Sequence, residues 1–520
     1  MNYNLTQALH RAVQLCPDTT AIVFRDRRLT WRAYAERTAK VASVLAAHGV
    51  KKGDRVGLLG LNSDRWLEVM TGTWWAGAGL NPVNTRWAAP EVAFSLDDCG
   101  TEILFVDDNA VALVPQIREL STSLKTILYV GEGAAPPGCL DYEALMKEAV
   151  PAPDANAGDD DLAGVYYTGG TTGFPKGVML THAGLLSNSL GNLLDLPFDD
   201  DEVVLAAPPL FHQAGMCIVI RALVRLSRVI VIPGFVPEAV MAAIQEHRVT
   251  FTLLVPTVLQ MIVDHPSFTE FDLSSLRKVL YGASPISDGL LARALQKLPK
   301  VRFTQGYGMT ETSGPYTILG PYFHTPEGRS PDRLRAAGRP IWGMEVRVMG
   351  PDGAILPPGE VGEIVSRGTC VMKGYWNRPE ETAACLRDGW LRSGDAGYVD
   401  EAGFVFLVDR VKDMIVSGGE NVYSSEVENA ISMHADVASC AVIGIPHERW
   451  GEAVHAIVVL KPGRDVTAEA IRAHCKTMIA NYKCPTSVEF REALVVSAAG
   501  KLLKHVLREP FWSGRTRRVG

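Results

Sequence analysis

The chain of 520 residues is longer than one hydrophobic core usually supports, so at least two domains are expected. Its composition is that of an ordinary globular protein, with 47% hydrophobic and 21% charged residues, and 51 basic against 58 acidic side chains give a net charge of -7. This mildly acidic balance argues against a nucleic-acid partner. The nine cysteines show no paired spacing and indicate reduced thiols in a cytoplasmic protein.

Short apolar runs alternate with helical patterns through the first four hundred residues, which predicts parallel sheets covered by helices. The candidate strands are residues 55–59, 103–106, 162–167, 203–206, 228–232, 250–254 and 278–281. The start of the chain lacks the basic and apolar segments of a signal peptide. No run approaches the ~20 apolar residues that a membrane-spanning helix needs, so we expect no integral membrane association.

After Gly338 the pattern changes to short strands and tight turns, which predicts a small antiparallel β-barrel. Beyond a boundary near residues 409–413, Ser425 and Glu428 are spaced as a capping box that opens a helix, and strand patterns follow at 438–443 and 456–460. We therefore predict an α/β protein with a large N-terminal domain, residues 1–410, and a small α+β C-terminal domain, residues 411–520.

Residues 166–177, YYTGGTTGFPKG, pack glycines, hydroxyls and one lysine into a single loop. Glycines let the backbone come close to an anion, threonine hydroxyls can donate hydrogen bonds, and Lys176 supplies a positive charge. An apolar segment before the loop and a helix capped by Thr181 after it predict the order strand, loop, helix. The simpler alternative is a flexible turn with a solvated lysine. Because Pro175 precedes the lysine and Gly177 follows it, the loop differs from the common nucleotide-binding P-loop.

The loop resembles the signature loop of the adenylate-forming superfamily, which includes acyl-CoA synthetases, the adenylation domains of peptide synthetases, and luciferases. Further segments match this superfamily in order, from Leu29 to Lys501. The resemblance implies a large domain of two doubly wound αβ subdomains plus the small barrel. It also implies that ATP phosphates are bound by Thr168, Thr171, Thr172, Gly173 and Lys176. The loop has Gly169 where the superfamily more often has serine.

The segment 305–312, QGYGMTET, resembles the superfamily's nucleotide site. The resemblance implies that Tyr307 packs on adenine, that Thr310 contacts phosphate and that Glu311 holds Mg2+. Magnesium prefers a few carboxylate oxygens together with the phosphates of the nucleotide. The same site would include Gln305, Gly306, Gly308, Met309, Gly282, Ala283 and Ser284. The alternative is a strand end with a solvated glutamate.

Four later segments are given roles by the same resemblance. Asp395 in GWLRSGD and Arg410 in DRVKD would contact the ribose, and Lys412 would be the hinge about which the small domain turns. Gly418, Gly419 and Glu420 would line the tunnel for the pantetheine of coenzyme A. Lys501 would bridge the substrate carboxylate and the α-phosphate, although the usual upstream proline and threonine are missing. Taken singly, these segments could equally be a turn, a charged linker, a tight Gly-Gly turn and a surface lysine.

Residues 209–216, PLFHQAGM, resemble the segment that lines the acyl pocket of acyl-CoA and aryl-CoA ligases, with His212 near its gate. Relatives that activate amino acids carry aspartate at this position, so an amino acid substrate is not expected. The predicted lining is apolar and suits a fatty or aromatic acid: Ala214, Met216, Gly282, Ala283 and Met309. A structural histidine is the alternative for His212.

The resemblance implies an AMP-forming carboxylate:CoA ligase that uses ATP, Mg2+ and coenzyme A and acts on small molecules, and it leaves a homodimer open. Three other functions also stay open. They are a stand-alone adenylation enzyme that loads a carrier protein, a luciferase-like oxygenase, and a non-catalytic binding protein.

Overall fold

The computed structural model describes residues 3–168, 175–196, 198–410, 413–417, 420–497 and 502–513, without the side chains of Pro331, Arg410 and Asn421. Between residues 3 and 196 its helices and strands are α1 (Gln7–Leu15), β1 (Thr20–Phe24), β2 (Arg27–Thr30), α2 (Trp31–Ala47), β3 (Arg55–Leu59), α3 (Asp64–Trp75), β4 (Gly79–Pro82), α4 (Ala89–Asp98), β5 (Ile103–Val106), α5 (Val114–Leu120), β6 (Thr126–Tyr129), β7 (Leu140–Asp141), α6 (Tyr142–Glu148), β8 (Leu162–Thr168), β9 (Lys176–Thr181) and α7 (His182–Asp195).

The next region contains β10 (Val203–Ala206), α8 (Gln213–Arg225), β11 (Arg228–Val231), α9 (Pro237–His247), β12 (Phe251–Leu254), α10 (Pro256–Val263), β13 (Lys278–Gly282), α11 (Asp288–Lys297), β14 (Arg302–Met309), β15 (Gly314–Leu319), α12 (Pro331–Leu334) and β16 (Arg339–Pro340). It is followed by β17 (Met344–Met349), β18 (Gly362–Gly368), β19 (Gly374–Tyr375), α13 (Pro379–Cys385), β20 (Leu386–Arg387), β21 (Trp390–Val399) and β22 (Val405–Arg410). The last region contains β23 (Ile415–Ser417), β24 (Glu420–Val422), α14 (Ser424–Ser432), β25 (Val437–His447), β26 (Gly451–Leu460), α15 (Ala468–Met478), β27 (Ser487–Phe490) and α16 (Lys504–Trp512).

Two large sheets dominate the described part of the N-terminal domain. Their strand orders are β16-β15-β14-β13-β12-β10-β11-β1-β2 and β19-β9-β8-β4-β3-β5-β6-β7. The central strands of both sheets run parallel, and helices connect most of them, as parallel pairing requires. The two predicted αβ subdomains are therefore confirmed. Each of the predicted strands in this region matches an observed strand to within one residue at either end.

The largest hydrophobic cluster joins strands of both sheets through helices α2, α3 and α8. Its fully buried aromatic side chains include Trp31, Trp66, Trp74, Phe105 and Phe251. The loops that follow β3 and β10 are tied together by the buried side chain of Asn62. Its Nδ2 donates to Pro208 O at 2.9 Å, and its Oδ1 accepts from Leu210 N at 2.8 Å. The carboxyl ends of strands from both sheets therefore meet at one crevice, the usual place for a ligand in open α/β sheets.

Two smaller sheets follow along the chain. The first is antiparallel, with the order β17-β18-β21-β20 and β22 beside β21, and it occupies the region where the sequence predicts a small barrel. The second has the order β24-β23-β26-β25, with β27 beside β26, and with its helices it forms the α+β C-terminal domain. The division at residues 410 and 411 stays a prediction. None of the described helices is both long enough and apolar enough to cross a membrane.

The predicted capping box of Ser425 and Glu428 is wrong. Helix α14 begins at Ser424, one residue earlier, and the Ser425 hydroxyl donates to Val408 O instead of capping the helix. The Glu428 carboxylate accepts from Val442 N at 2.7 Å. The spacing fits a capping box, but contacts with β22 and β25 take both side chains, and a local sequence pattern cannot show such contacts.

Candidate active site

The predicted phosphate loop lies between two antiparallel strands. Thr168 at the end of β8 pairs with Lys176 at the start of β9, and α7 begins only after β9. The predicted order of strand, loop, helix is therefore wrong, because a second strand precedes the helix. The predicted cap is confirmed, since Thr181 Oγ1 accepts from Gly184 N at 3.0 Å. Outside the described residues lie the predicted site residues Thr171, Thr172, Gly173, Lys412, Gly418, Gly419 and Lys501.

A tyrosine that the sequence analysis missed connects Lys176 with Glu311. Strand β19 pairs with β9, which places Tyr375 opposite Val178. The Lys176 Nζ lies 5.3 Å from the centroid of the Tyr375 ring, within the range of a cation–π contact. The Tyr375 hydroxyl donates to Glu311 Oε1 at 2.7 Å. Burial and the neighbouring Glu311 carboxylate raise the pKa of Tyr375 far above its ordinary value, so the hydroxyl keeps its proton as a donor.

Glu311 lies in a short turn, Thr310–Thr312, that follows β14, and only 8% of its surface is exposed. Its carbonyl oxygen accepts from Met372 N at 2.8 Å. The turn ends at Ser313, whose φ of 59° is left-handed, and Gln213 Nε2 donates to the Ser313 carbonyl at 2.6 Å. These contacts with α8 and with the segment before β19 fix the backbone that carries the carboxylate. Thr310 is half-buried at the start of the turn.

Tyr307 and Asp395, which the resemblance assigns to adenine and ribose, are in direct contact. The Tyr307 hydroxyl donates to Asp395 Oδ2 at 2.6 Å. The Tyr307 ring lies 5.1 Å from the ring of Tyr316, and burial raises the pKa of Tyr307. Asp395 is opposite Arg410 in the pairing of β21 with β22. The antiparallel sheet that contains β21 and β22 therefore places the two predicted ribose contacts, Asp395 and Arg410, beside the end of β14.

The predicted glycines allow close approach of backbone segments. Gly282 at the end of β13 pairs with Gly306, and a Cβ on Gly282 would lie 2.0 Å from Gly306 O. A Cβ on Gly308 would lie 2.2 Å from Gly314 O. The loop after Gly282 has an exposed Ala283 with a φ of 64°. Any side chain at Gly282 or Gly308 would therefore displace the strand ends that form the predicted nucleotide site.

The remaining predicted residues of this edge lie close by. Ser284 follows Ala283 and is half-buried, as are Gln305 and Met309. Met309 N donates to Thr312 Oγ1 at 3.1 Å, which links β14 to the turn that carries Glu311. Their roles in nucleotide binding stay predictions.

A buried histidine supports the strand end at Gln305. The Tyr281 hydroxyl lies 2.9 Å from His324 Nε2 and 3.3 Å from Gln305 Oε1, and His324 Nδ1 donates to Gly320 O at 3.1 Å. Because a carbonyl only accepts, Nδ1 carries the proton of a neutral ring and Nε2 accepts from Tyr281. Burial lowers the pKa of His324 to about 4, so the ring is neutral in the folded protein at physiological pH.

His212 precedes helix α8 and caps it. Its Nδ1 accepts from Ala214 N at 3.1 Å, and the side chain is half-buried. His212 thus has the structural role that the sequence left open as an alternative, namely capping a helix. Its place at the gate of an acyl pocket stays a prediction. Of the predicted lining, Met216 is fully buried, whereas Ala214 and Met309 are half-buried.

Ser497, the last described residue before the segment that contains Lys501, contacts the large domain. Val496 and Leu502 form a β-bridge, and Ser497 O accepts from Arg86 Nη1 at 3.2 Å. Arg86 follows β4, which pairs in parallel with β8. The carboxyl ends of parallel neighbours share one edge of a sheet, so this contact is at the edge where β8 enters the predicted phosphate loop. Glu420 is exposed at the start of β24.

A metal site built only from protein side chains is not found in the described part of the chain. No group of three or more His, Cys, Asp or Glu residues there is arranged to hold an ion. Glu311 offers one mostly buried carboxylate, and this donor set fits magnesium that takes its other ligands from phosphates and water.

Comparisons with known proteins match nearly the whole chain. Residues 9–376 match the family model described as AMP-binding enzyme, and residues 426–501 match the model described as AMP-binding enzyme C-terminal domain. A feruloyl-CoA synthase of Amycolatopsis sp is 40% identical over 504 residues, which cover 96% of this chain and 98% of that protein. The fatty acid (acyl-carrier-protein) ligase ScoC of Streptomyces coeruleorubidus is 36% identical over 97% of this chain and 95% of its own length. The solved structure of the anthranilate CoA ligase AuaEII in complex with anthranoyl-AMP matches with a TM-score of 0.92 and 28% identity, covering 98% of this chain and 97% of that one.

We expect His324 to make the stability of the fold depend on pH. Because its pKa is about 4 in the folded protein and about 6.5 when unfolded, its contribution is fully present above pH 6.5 and is lost as the pH falls towards 4. By pH 5 this amounts to a loss of about 2 kcal/mol. The midpoint temperatures of thermal unfolding at pH 7.5 and at pH 5 measure this loss. The difference between these two midpoints should be smaller in His324→Gln than in the wild type. An equal difference in the variant would contradict this assignment.

Proposed function

The chain belongs to the AMP-binding enzyme family and is an AMP-forming acyl-CoA ligase, and we propose that it activates a hydrophobic carboxylic acid, either fatty or aromatic. The observation that carries the proposal is the contact of Tyr375 with both Lys176 and Glu311, together with the Tyr307–Asp395 pair on the strand that leads to Glu311. This arrangement offers a cation for phosphates next to an aromatic ring and a carboxylate for a nucleoside.

In the first half-reaction a substrate carboxylate oxygen attacks the α-phosphorus of ATP. A new O–P bond forms, the P–O bond to pyrophosphate breaks, and an acyl-adenylate results. The charge that builds on the phosphates is met by Lys176 from the large domain and Lys501 from the C-terminal domain. Glu311 would hold Mg2+, which when bound supplies further neutralisation of phosphate charge. Tyr375 orients the Glu311 carboxylate through its hydroxyl.

In the second half-reaction the thiol of coenzyme A attacks the acyl carbon and AMP leaves with the anhydride oxygen. A thiol with a pKa of ~8.5 is partly ionised near neutral pH, so no dedicated base is required. Both half-reactions use one carbonyl group but different protein residues. The C-terminal domain would therefore rotate about Lys412, so that Lys501 leaves and the loop with Gly418, Gly419 and Glu420 approaches.

The acid is assigned from the segment at the start of α8. His212 takes the position where an aspartate would pair with the ammonium group of an amino acid, and Ala214 and Met216 are apolar neighbours. The names of the feruloyl-CoA and anthranilate CoA ligases support an aromatic acid, and that of ScoC supports a fatty acid. ScoC also favours a second candidate function, the transfer of the acyl group to the phosphopantetheine of a carrier protein.

The product assay tests the proposal directly. With ATP, Mg2+ and coenzyme A, we expect acyl-CoA, AMP and pyrophosphate from at least one acid in a panel of fatty, cinnamic and benzoic acids. Malonate and phenylalanine serve as the charged controls, and we expect little product from either. Transfer only to a phosphopantetheinylated carrier would support the second candidate. A strong preference for malonate or phenylalanine would contradict the hydrophobic acid.

The variant Lys501→Ala should separate the half-reactions. We expect pyrophosphate release to fall by about 100-fold or more, because a charge that stabilises the transition state is lost. Thioester formation from supplied acyl-adenylate should stay within about threefold of wild type, since Lys501 has no part in that step. Lys476→Ala removes an exposed lysine of the same domain and is the matched control. Pyrophosphate release at the wild-type rate would show that Lys501 is misassigned.

The variant Tyr375→Phe tests the support of Glu311. It keeps the ring near Lys176 and removes only the hydroxyl that donates to the carboxylate. A hydrogen bond to a charged group contributes about 1.5 kcal/mol, so we expect ATP to bind about tenfold more weakly in the presence of Mg2+. Calorimetric titration with and without Mg2+ measures this, with Tyr322→Phe at an exposed tyrosine as control. An equal loss of ATP affinity with and without Mg2+ would mean that Tyr375 acts independently of the metal.

A further inference from the structure

We propose that Asp288 and Asn429 are positioning residues that hold the C-terminal domain in the orientation that serves adenylation and not thioester formation. The inference rests on the proposed function, because it concerns the choice between its two half-reactions. It is carried by contacts between α11 of the large domain and α14 of the small one.

The two residues exchange a reciprocal pair of hydrogen bonds. Asn429 Nδ2 donates to Asp288 Oδ2 at 3.2 Å, and Asp288 N donates to Asn429 Oδ1 at 3.4 Å. Both ends of the amide are used, so its orientation is determined. Arg335 Nη2 lies 3.0 Å from the same Asp288 oxygen and holds the carboxylate from the side of the large domain. The pair therefore joins α14 to a carboxylate that is already fixed.

A second contact lies beside this pair. Gln260 Nε2, from α10, donates to Ala438 O in β25 at 2.9 Å. The backbones are also close, because a Cβ on Gly289 would lie 3.7 Å from Ser432 O. The interface built from these residues is polar, and the Asp288 side chain is 37% exposed within it. Polar contacts of this kind can exchange with water, as an orientation that changes in every turnover requires.

The orientation that these contacts hold is the one in which Ser497 of the C-terminal domain contacts the large domain. In the same structure Ser497 O accepts from Arg86 Nη1, at the sheet edge where β8 enters the predicted phosphate loop. The proposed function assigns Lys501, four residues after Ser497, to adenylation. The Asp288–Asn429 pair and the contact of Ser497 with Arg86 therefore belong to one orientation. Rotation to the thioester-forming orientation would separate α14 from α11 and break the pair.

The position of Asp288 also connects the pair to the nucleotide site. Asp288 is the first residue of α11, four residues after Ser284, which lies in the loop that leaves β13 beside β14. The segment that the sequence analysis assigns to nucleotide binding thus continues into the contact with the C-terminal domain. A pair in this place is suited to hold the small domain while ATP and the acid react.

The test compares the two half-reactions in Asn429→Ala, in Asp288→Ala and in the double variant. Adenylation is measured as single-turnover pyrophosphate release without coenzyme A, and thioester formation is measured from supplied acyl-adenylate with coenzyme A. Asn481→Ala, at an exposed asparagine of the same domain, is the matched control. Partial loss of folded enzyme would lower both rates by the same factor. The ratio of the adenylation rate to the thioester-formation rate is therefore compared between variants.

We expect each single variant to slow adenylation about fivefold and to leave thioester formation unchanged or faster. The double variant should be slowed to about the same extent as Asn429→Ala alone, because loss of the Asn429 side chain already removes both hydrogen bonds of the pair. A ratio of rates equal to that of the wild type in both single variants would overturn the inference, as would fully additive effects in the double variant. Absence of pyrophosphate release in the wild-type enzyme would instead refute the proposed function.

Discussion

The hydrogen bond from Tyr375 to Glu311 is the contact on which the proposed phosphate site depends. A carboxylate with only 8% exposure is stable beside a polyphosphate only if donors and cations surround it. Tyr375 provides the donor, and its ring also faces Lys176, so one side chain relates the cation of the loop to the carboxylate of the turn. The pairing of the two-residue strand β19 with β9 makes this possible. A backbone contact of only two residues thus fixes the relative positions of two charges.

A single hydrogen bond likewise positions the residues where the nucleoside is expected. Tyr307 and Asp395 come from different sheets, and the hydrogen bond between them holds the third sheet against the end of β14. Because β22 pairs with β21 at Asp395 and ends at Arg410, the chain leaves the nucleotide site directly for the C-terminal domain. The proposed nucleotide site is therefore joined by one short stretch of backbone to the domain that we propose to rotate.

Seven strands of the two large sheets could be predicted almost residue by residue, because strands buried on both faces are continuous apolar runs with clear limits. The central strand β4 was not predicted, although all of it is buried, because it is short and its glycine and proline are typical of turns. Strand β9 was missed, since Lys176 and Gly177 have the composition of a loop and only pairing with β8 makes them a strand. Tyr375 was missed for a related reason. Its neighbours are turn-forming residues, and its function follows from a partner 64 residues away. The predicted capping box was wrong because Ser425 and Glu428 form hydrogen bonds with β22 and β25, and no local sequence pattern shows such contacts.

The polar character of the contact between α11 and α14 is a requirement of a two-step reaction. A turnover of about 10 per second corresponds to a barrier of roughly 16 kcal/mol, and reorientation of the domain must fit within it. An apolar interface of ordinary size would bury several side chains at about 1.5–3 kcal/mol each and would trap one orientation. A few hydrogen bonds, each contributing about 1 kcal/mol net, favour an orientation without preventing its release. The contacts of Asp288, Asn429 and Gln260 are of this second kind, which is why we assign them to positioning and not to the stability of the fold.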